Sequence, residues 1–183
     1  MSTILVETGL AGAIGTGIVF VEAGLAKLRH RELVPGVVAN YRLLPEALVA
    51  PVAMILPPLE LGLGLALIAS VFLGGTLHWV ALAAAALFLA FALGMAINIR
   101  RGRSHIDCGC GRSQLRQPLG WGLVARNVVL AMLVAVHAIA PAQGFVPADL
   151  ALALAAGVCL FLFFLLFNAL AALAASPLAS GRR

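Results

Sequence analysis

The sequence predicts an all-α fold, a polytopic bundle of transmembrane helices forming one domain over residues 1–183. Two observations carry this. The first is composition: 63% of the residues are hydrophobic and only 10% charged, with a mean hydropathy of +1.09. An ordinary soluble domain carries about 25% charged residues. So few charges cannot give a globule of this size a polar surface, and lipid must replace water over most of it. The second is that the apolar residues gather into runs of membrane-crossing length, which for a helix is about 20 residues. The net charge of +5 and the pI of about 10.1 do not indicate nucleic acid, because Lys and Arg collect in the loops of membrane proteins.

The runs can be taken in order. The first covers about 4–26 and contains Glu7 and Glu22; the second covers 48–73 and contains Glu60. The third, 76–99, has no charge; the fourth, 119–140, contains Arg126; the fifth, 150–175, is the most apolar. Four spans stand out clearly, and the fifth makes five the favoured number. The breaks have backbone causes. Gly74-Gly75 separates spans two and three, and Pro141, Gly144 and Pro147 separate four and five; Gly tolerates positive φ and Pro lacks an amide hydrogen. The stretches 27–46 and 100–118 are the polar connections. The N-terminus has no basic region ahead of its first apolar run, so no cleavable signal peptide is expected.

With five spans, the first and third connections and the C-terminus share one face. All twelve Lys and Arg fall there: Lys27, Arg29, Arg31, Arg42, Arg100, Arg101, Arg103, Arg112, Arg116, Arg126, Arg182 and Arg183. The positive-inside bias makes that face cytoplasmic in a bacterial inner membrane and the N-terminus periplasmic.

The chemically pointed feature is Cys108-Gly109-Cys110, in the basic connection between spans three and four. Two thiols one residue apart can close a strained small-ring disulfide, with Gly allowing the bend; strained, exposed disulfides are the labile and catalytic ones. Arg101, Arg103, His105 and Arg112 favour the thiolate, and Asp107 opposes it. A redox pair is the leading reading, against an ordinary reduced loop. Metal binding by His105, Asp107, Cys108 and Cys110 is the runner-up, since four ligands within six residues do not easily surround a tetrahedral ion. The third cysteine, Cys159, lies in span five and reads as a packing residue; three thiols build no disulfide scaffold.

Glu60 lies inside span two, after Pro57-Pro58. An ionisable group at that depth is costly unless paired or wetted, and prolines free carbonyls that can line a polar cavity. The alternative is that the span starts near Pro57, leaving Glu60 interfacial. Glu22 and Arg126 lie at matching depths from the basic face and are expected to pair beneath the Cys loop. His78 and His137 fall toward the opposite face, where lone histidines are unremarkable.

Taken together, Glu22-Ala-Gly-Leu-Ala-Lys27-Leu28, Tyr41-Arg-Leu-Leu-Pro45, Leu56-Pro-Pro-Leu-Glu60-Leu-Gly62, Asp107-Cys-Gly-Cys110, Leu119-Gly120 and Arg126-Asn127 resemble the DoxX-like membrane proteins and, within them, the MauE methylamine-utilisation family. The match covers spans one to four. It departs where Gly111-Arg112 follows the cysteines, in place of the expected Phe-Gly. The resemblance implies a role in maturing methylamine dehydrogenase, whose small, quinone-cofactor-bearing subunit is periplasmic and dense in disulfides, together with the thioredoxin-like MauD. Cys108 and Cys110 would be the exchanging pair, supported by His105, Asp107, Glu22, Glu60 and Arg126. No cofactor motif is evident; a quinone is a chemically sensible electron acceptor. The implied periplasmic target and the cytoplasmic position of the loop conflict. Two other readings remain open: a non-enzymatic scaffold for the same maturation, and a small transporter using Glu60 as a proton or ion site.

Overall fold

A computed structural model describes residues 3–73, 77–109, 117–139 and 147–174. Six helices follow one another: α1 (Thr3–Arg29), α2 (Val34–Tyr41), α3 (Glu46–Leu73), α4 (His78–Arg100), α5 (Trp121–Ile139) and α6 (Pro147–Ala174). All but α2 are long and apolar enough to cross a bilayer. They correspond one for one to the five apolar runs. Large apolar side chains such as Met54, Leu93, Phe163 and Leu170 point outward, as they should where the solvent is hydrocarbon.

The central strut is α1, which packs against α3, α5 and α6, while α4 packs chiefly on α5. Lipid tails are as apolar as leucine, so helices associate in a membrane through close packing rather than through exclusion of water. Glycines on α1 supply that closeness on three sides. A Cβ on Gly17 would lie 3.0 Å from the Gly64 carbonyl oxygen of α3, and one on Gly15 would lie 2.9 Å from the Gly157 carbonyl oxygen of α6. A Cβ on Gly12 would meet the Leu133 carbonyl oxygen of α5 at 2.7 Å. Between these contacts lies an apolar core including Phe20, Leu67, Phe88, Leu130, Val134 and Phe164, with the Phe20 and Phe88 rings stacked at 4.3 Å.

Several polar side chains inside the spans find partners within their own helix, as a water-free environment favours. Thr16 Oγ1 donates to the Gly12 carbonyl at 2.6 Å, and Asn127 Nδ2 donates to that of Leu123 at 2.9 Å. His137 is buried, and its Nε2 lies 3.0 Å from Ser70 Oγ of α3. It lies two residues from the end of α5, toward the face expected of it, and makes an interhelical polar contact there.

Two features at the basic end depart from the sequence reading. The connection 27–46 contains α2, a short helix with Pro35 in its first turn, capped at its C-terminal end by Arg42 in the left-handed region at φ 48°. The other is helix register. Glu60 lies fourteen residues from the start of α3, and its partner Lys27 (below) lies two from the end of α1. The close contacts of Gly17 with Gly64 and of Gly24 with Pro57 and Leu61 set the antiparallel register and put the end of α1 level with about Met54 of α3. At about 1.5 Å per residue, the first two turns of α3 therefore run roughly 12 Å beyond α1. Glu60 lies well inside its own helix, which starts at Glu46 rather than near Pro57, and Lys27 reaches it from about one turn nearer the basic end.

Candidate functional site: a buried thiol on an apolar cavity

The Cys loop is built as a narrow hairpin. Cys108 N–H donates to the Gln117 carbonyl at 2.9 Å, Leu119 N–H donates to that of Ile106 at 3.2 Å, and Asp107 bridges antiparallel to Pro118. Cys110 and the hairpin tip, including Arg112 and Arg116, lie outside the described residues. The turn into that tip needs glycine twice over. Gly109 has φ +71°, and a Cβ there would stand 2.5 Å from Val37 Cγ1 of α2. The Asp107 carboxylate accepts from the Gly109 N–H at 3.2 Å, an Asx-type contact that holds the turn.

Three attachments fix the hairpin to the bundle. Tyr41, the last residue of α2, donates its hydroxyl to the Cys108 carbonyl at 3.1 Å. Arg103 then ties α2 to α4. Its Nη2 donates to the Asn40 carbonyl at 2.6 Å, and its Nη1 to the Tyr41 carbonyl at 3.3 Å and to Asn98 Oδ1 at 3.0 Å. On the far side Arg126 Nη1 of α5 donates to Asn168 Oδ1 of α6, with its guanidinium 4.9 Å from the Phe164 ring centroid. Gln117 Nε2 donates to the Asn168 carbonyl at 2.8 Å. Arg126 is thus connected through Asn168 and Gln117 to the backbone of Cys108.

This attachment replaces the expected Glu22–Arg126 pair. No ion pair joins those two among the described residues, and Glu22 sits half-buried on α1. The ion pair that does form is Lys27–Glu60. Lys27 Nζ donates to Glu60 Oε1 at 2.8 Å and to Oε2 at 2.7 Å, with the Glu60 side chain 1% exposed and that of Lys27 14%.

The Cys108 side chain is only 5% exposed, and its Sγ lies 3.7 Å from Met95 Sδ of α4. It forms part of the wall of a cavity of about 260 Å³ enclosed by α1, α2, α3, α4 and the loop. Lys27, Phe91, Val37 and Asp107 share that wall, and the Lys27 ammonium lies 6.0 Å from the Phe91 ring centroid. Of the sequence-predicted site residues, the fold therefore brings Cys108, Asp107 and Glu60 to one neighbourhood, Glu60 through Lys27. Arg126 acts on the loop from outside the cavity. His105 is exposed and does not line the cavity. No cluster of three metal-ligating side chains forms among the described residues. Cys159 faces outward from α6.

Read from sequence, Lys27, Tyr41 and Asn168 have no role in the site, and Arg103 has only an electrostatic one. A signal for Lys27 was present: Gly17 and Gly24 both meet α3, and three residues on from Gly24 is nearly one helical turn, so Lys27 shares that face.

Fold and site define a class: among the described residues, an all-helical bundle with five helices long and apolar enough to cross a bilayer, carrying a buried thiol beside a buried ion pair. Comparison with known proteins is more specific. The family model for methylamine utilisation protein MauE matches residues 5–140, and the chain belongs to the MauE family. Similar relatives include methylamine utilization protein MauE of Paracoccus denitrificans, 43% identical over 169 residues, covering 89% of this chain and 87% of that one. The protein of the same name from Methylorubrum extorquens is 41% identical over 152 residues, covering 80% and 78%. That from Methylophilus methylotrophus is 48% identical over 95 residues, covering 52% and 48%. No solved structure matches.

Proposed function

We propose that this protein is an inner-membrane thiol–disulfide redox protein, with Cys108 and Cys110 as its exchanging pair. It supports maturation of the methylamine dehydrogenase small subunit in concert with the thioredoxin-like MauD. The observation that carries the reading is the placement of Cys108: a thiol held in the wall of a cavity by hydrogen bonds from α2 and from the opposite strand of its hairpin. A merely structural cysteine needs no such cavity. The glycine that follows adopts a conformation other residues avoid, and this shapes the path of the chain into Cys110. Asp107 supports that turn.

Thiol trapping tests the reading. Cells are acid-quenched and their thiols alkylated with a mass tag. Cys108 and Cys110 are expected partly oxidised in growing cells, and Cys108→Ser is expected to abolish maturation of the subunit. Both thiols fully reduced, with both serine variants supporting maturation, would sink the redox role and leave the scaffold. A transporter built on Glu60 predicts the reverse pattern, with Glu60→Gln inactive and the cysteine variants silent. The bidentate Lys27 contact argues against that role, because it occupies both carboxylate oxygens.

The positive-inside bias supports a loop on the cytoplasmic side, opposite the subunit's compartment, so sidedness is part of the proposal. Ser104 is exposed. Ser104→Cys, in a chain lacking the three native cysteines, should react with a membrane-impermeant maleimide only after spheroplasts are permeabilised. Labelling in intact spheroplasts overturns the assignment and puts the loop on the subunit's side.

A further inference from the structure

We infer that the cavity beside Cys108 binds the headgroup of a membrane quinone, which reoxidises the cysteine pair. This inference rests on the thiol-redox reading and names the oxidant that reading requires. A pair that forms disulfides in a substrate ends each cycle as a dithiol, and two electrons and two protons must leave it. The balanced step forms one S–S bond between Cys108 and Cys110 and breaks their two S–H bonds. The electrons and protons pass to the two carbonyl oxygens of the quinone, giving a quinol.

The cavity suits that partner in size, polarity and access. At about 260 Å³ it is smaller than typical drug-sized pockets of roughly 300–1,000 Å³. It therefore takes one substituted ring and leaves an isoprenoid tail outside. Its walls are mainly apolar, with Phe91 and Met95 on α4 and Val34 and Val37 on α2. One fixed cation stands among them. Lys27 directs at most two of its three N–H groups to Glu60, leaving a donor for a carbonyl oxygen that gains negative charge as the ring is reduced. Glu60 keeps the ammonium in place without a ligand. Helices α3 and α4 touch each other sparingly, and both contribute to the cavity through Leu56, Ala90 and Phe91. Beside those residues Leu59, Leu89 and Leu93 face outward. The weakly packed side of the cavity thus borders the hydrocarbon, where a lipid-soluble oxidant resides.

The test uses the purified full-length protein in detergent, reduced with dithiothreitol, desalted and mixed with decylubiquinone. Quinol formation is followed, and thiol exchange with dithiothreitol is measured alongside. The reduced protein should convert quinone to quinol in a one-to-one ratio. Ala90→Trp, which fills the cavity from its lipid-exposed edge, should slow quinol formation about tenfold or more while thiol exchange persists. Removing the cation in the double variant Lys27→Met/Glu60→Leu, which strands no buried carboxylate, should slow it by about a hundredfold, a typical loss for one oxyanion donor. Thiols that exchange but reduce no quinone overturn this inference and leave the redox reading intact. Thiols that do not exchange at all overturn the redox reading and this inference with it. Quinone reduction unaffected by Ala90→Trp places the reaction elsewhere and overturns the cavity assignment.

Discussion

Replacing Lys27 by methionine removes one member of the buried Lys27–Glu60 pair and keeps most of the side-chain volume. Glu60 is 1% exposed and contacts the Lys27 ammonium through both of its oxygens. Breaking a buried pair by deleting one partner costs about 3–5 kcal/mol, because the other charge stays behind uncompensated. Lys27 is 14% exposed, so solvent reaches one end of the pair and offsets part of the loss, and the lower half of that range, about 3–4 kcal/mol, is the expected cost. For a chain of this size each kcal/mol corresponds to roughly 2–4 °C in Tm, a scale taken from soluble domains, and Lys27→Met should melt about 6–16 °C lower. Replacing both residues, as Lys27→Met/Glu60→Leu, removes the stranded charge, and such double replacements are neutral or stabilising by about 1–4 kcal/mol. The double variant should therefore recover most of the lost Tm. Thermal unfolding in one detergent, followed by circular dichroism, compares the three proteins. If Lys27→Met melts with the wild type, or the double variant melts no higher than the single, the pair is not the desolvated contact described above.

Three further outcomes follow from the geometry. Gly109→Ala forces a Cβ into the left-handed region, at about 1–2 kcal/mol, and into Val37 Cγ1 at 2.5 Å; it should speed alkylation of Cys108, and adding Val37→Ala should reverse the steric part only. Asn168→Leu removes the acceptor of Arg126 and should cost about 1.5–3 kcal/mol, the usual worth of a hydrogen bond to a charged group, measured as a fall in Tm with faster Cys108 alkylation. Gly64→Leu cannot fit where a Cβ alone would stand 2.7 Å from the Gly17 carbonyl oxygen; overpacking typically costs about 1–3 kcal/mol, and a backbone obstacle puts this variant at the top of that range, read as loss of the monodisperse peak in size-exclusion chromatography.

The spans were legible because hydropathy alone decides which segments lie in lipid. Helix α2 was not: its eight residues are too short to register as a crossing, and Pro35 and Gly36 at its start read as a break. The Glu22–Arg126 expectation failed for a geometric reason. Counting residues from a face gives a side chain's height in the bilayer but not its bearing around the helix. At the right height, Arg126 turns toward Asn168 on α6. Lys27 reads in the sequence as a loop charge within a family motif, although its spacing from Gly17 and Gly24 sets it on the α3 face. Cys108 and Gly109 were found as a motif, but the cavity depends on four helices meeting at one end, and no local pattern encodes that.

Arg103 grips the end of α2 and the end of α4 at once, and Tyr41 reaches from α2 to the carbonyl of Cys108. The cysteine motif consequently has no position of its own; its coordinates are dictated by residues some sixty places earlier in the chain. The motif is therefore not portable. Grafted onto another helical hairpin, Asp107-Cys108-Gly109-Cys110 would carry its thiols but neither the burial of Cys108 nor the cavity beside it. The working unit is the assembled end of the bundle.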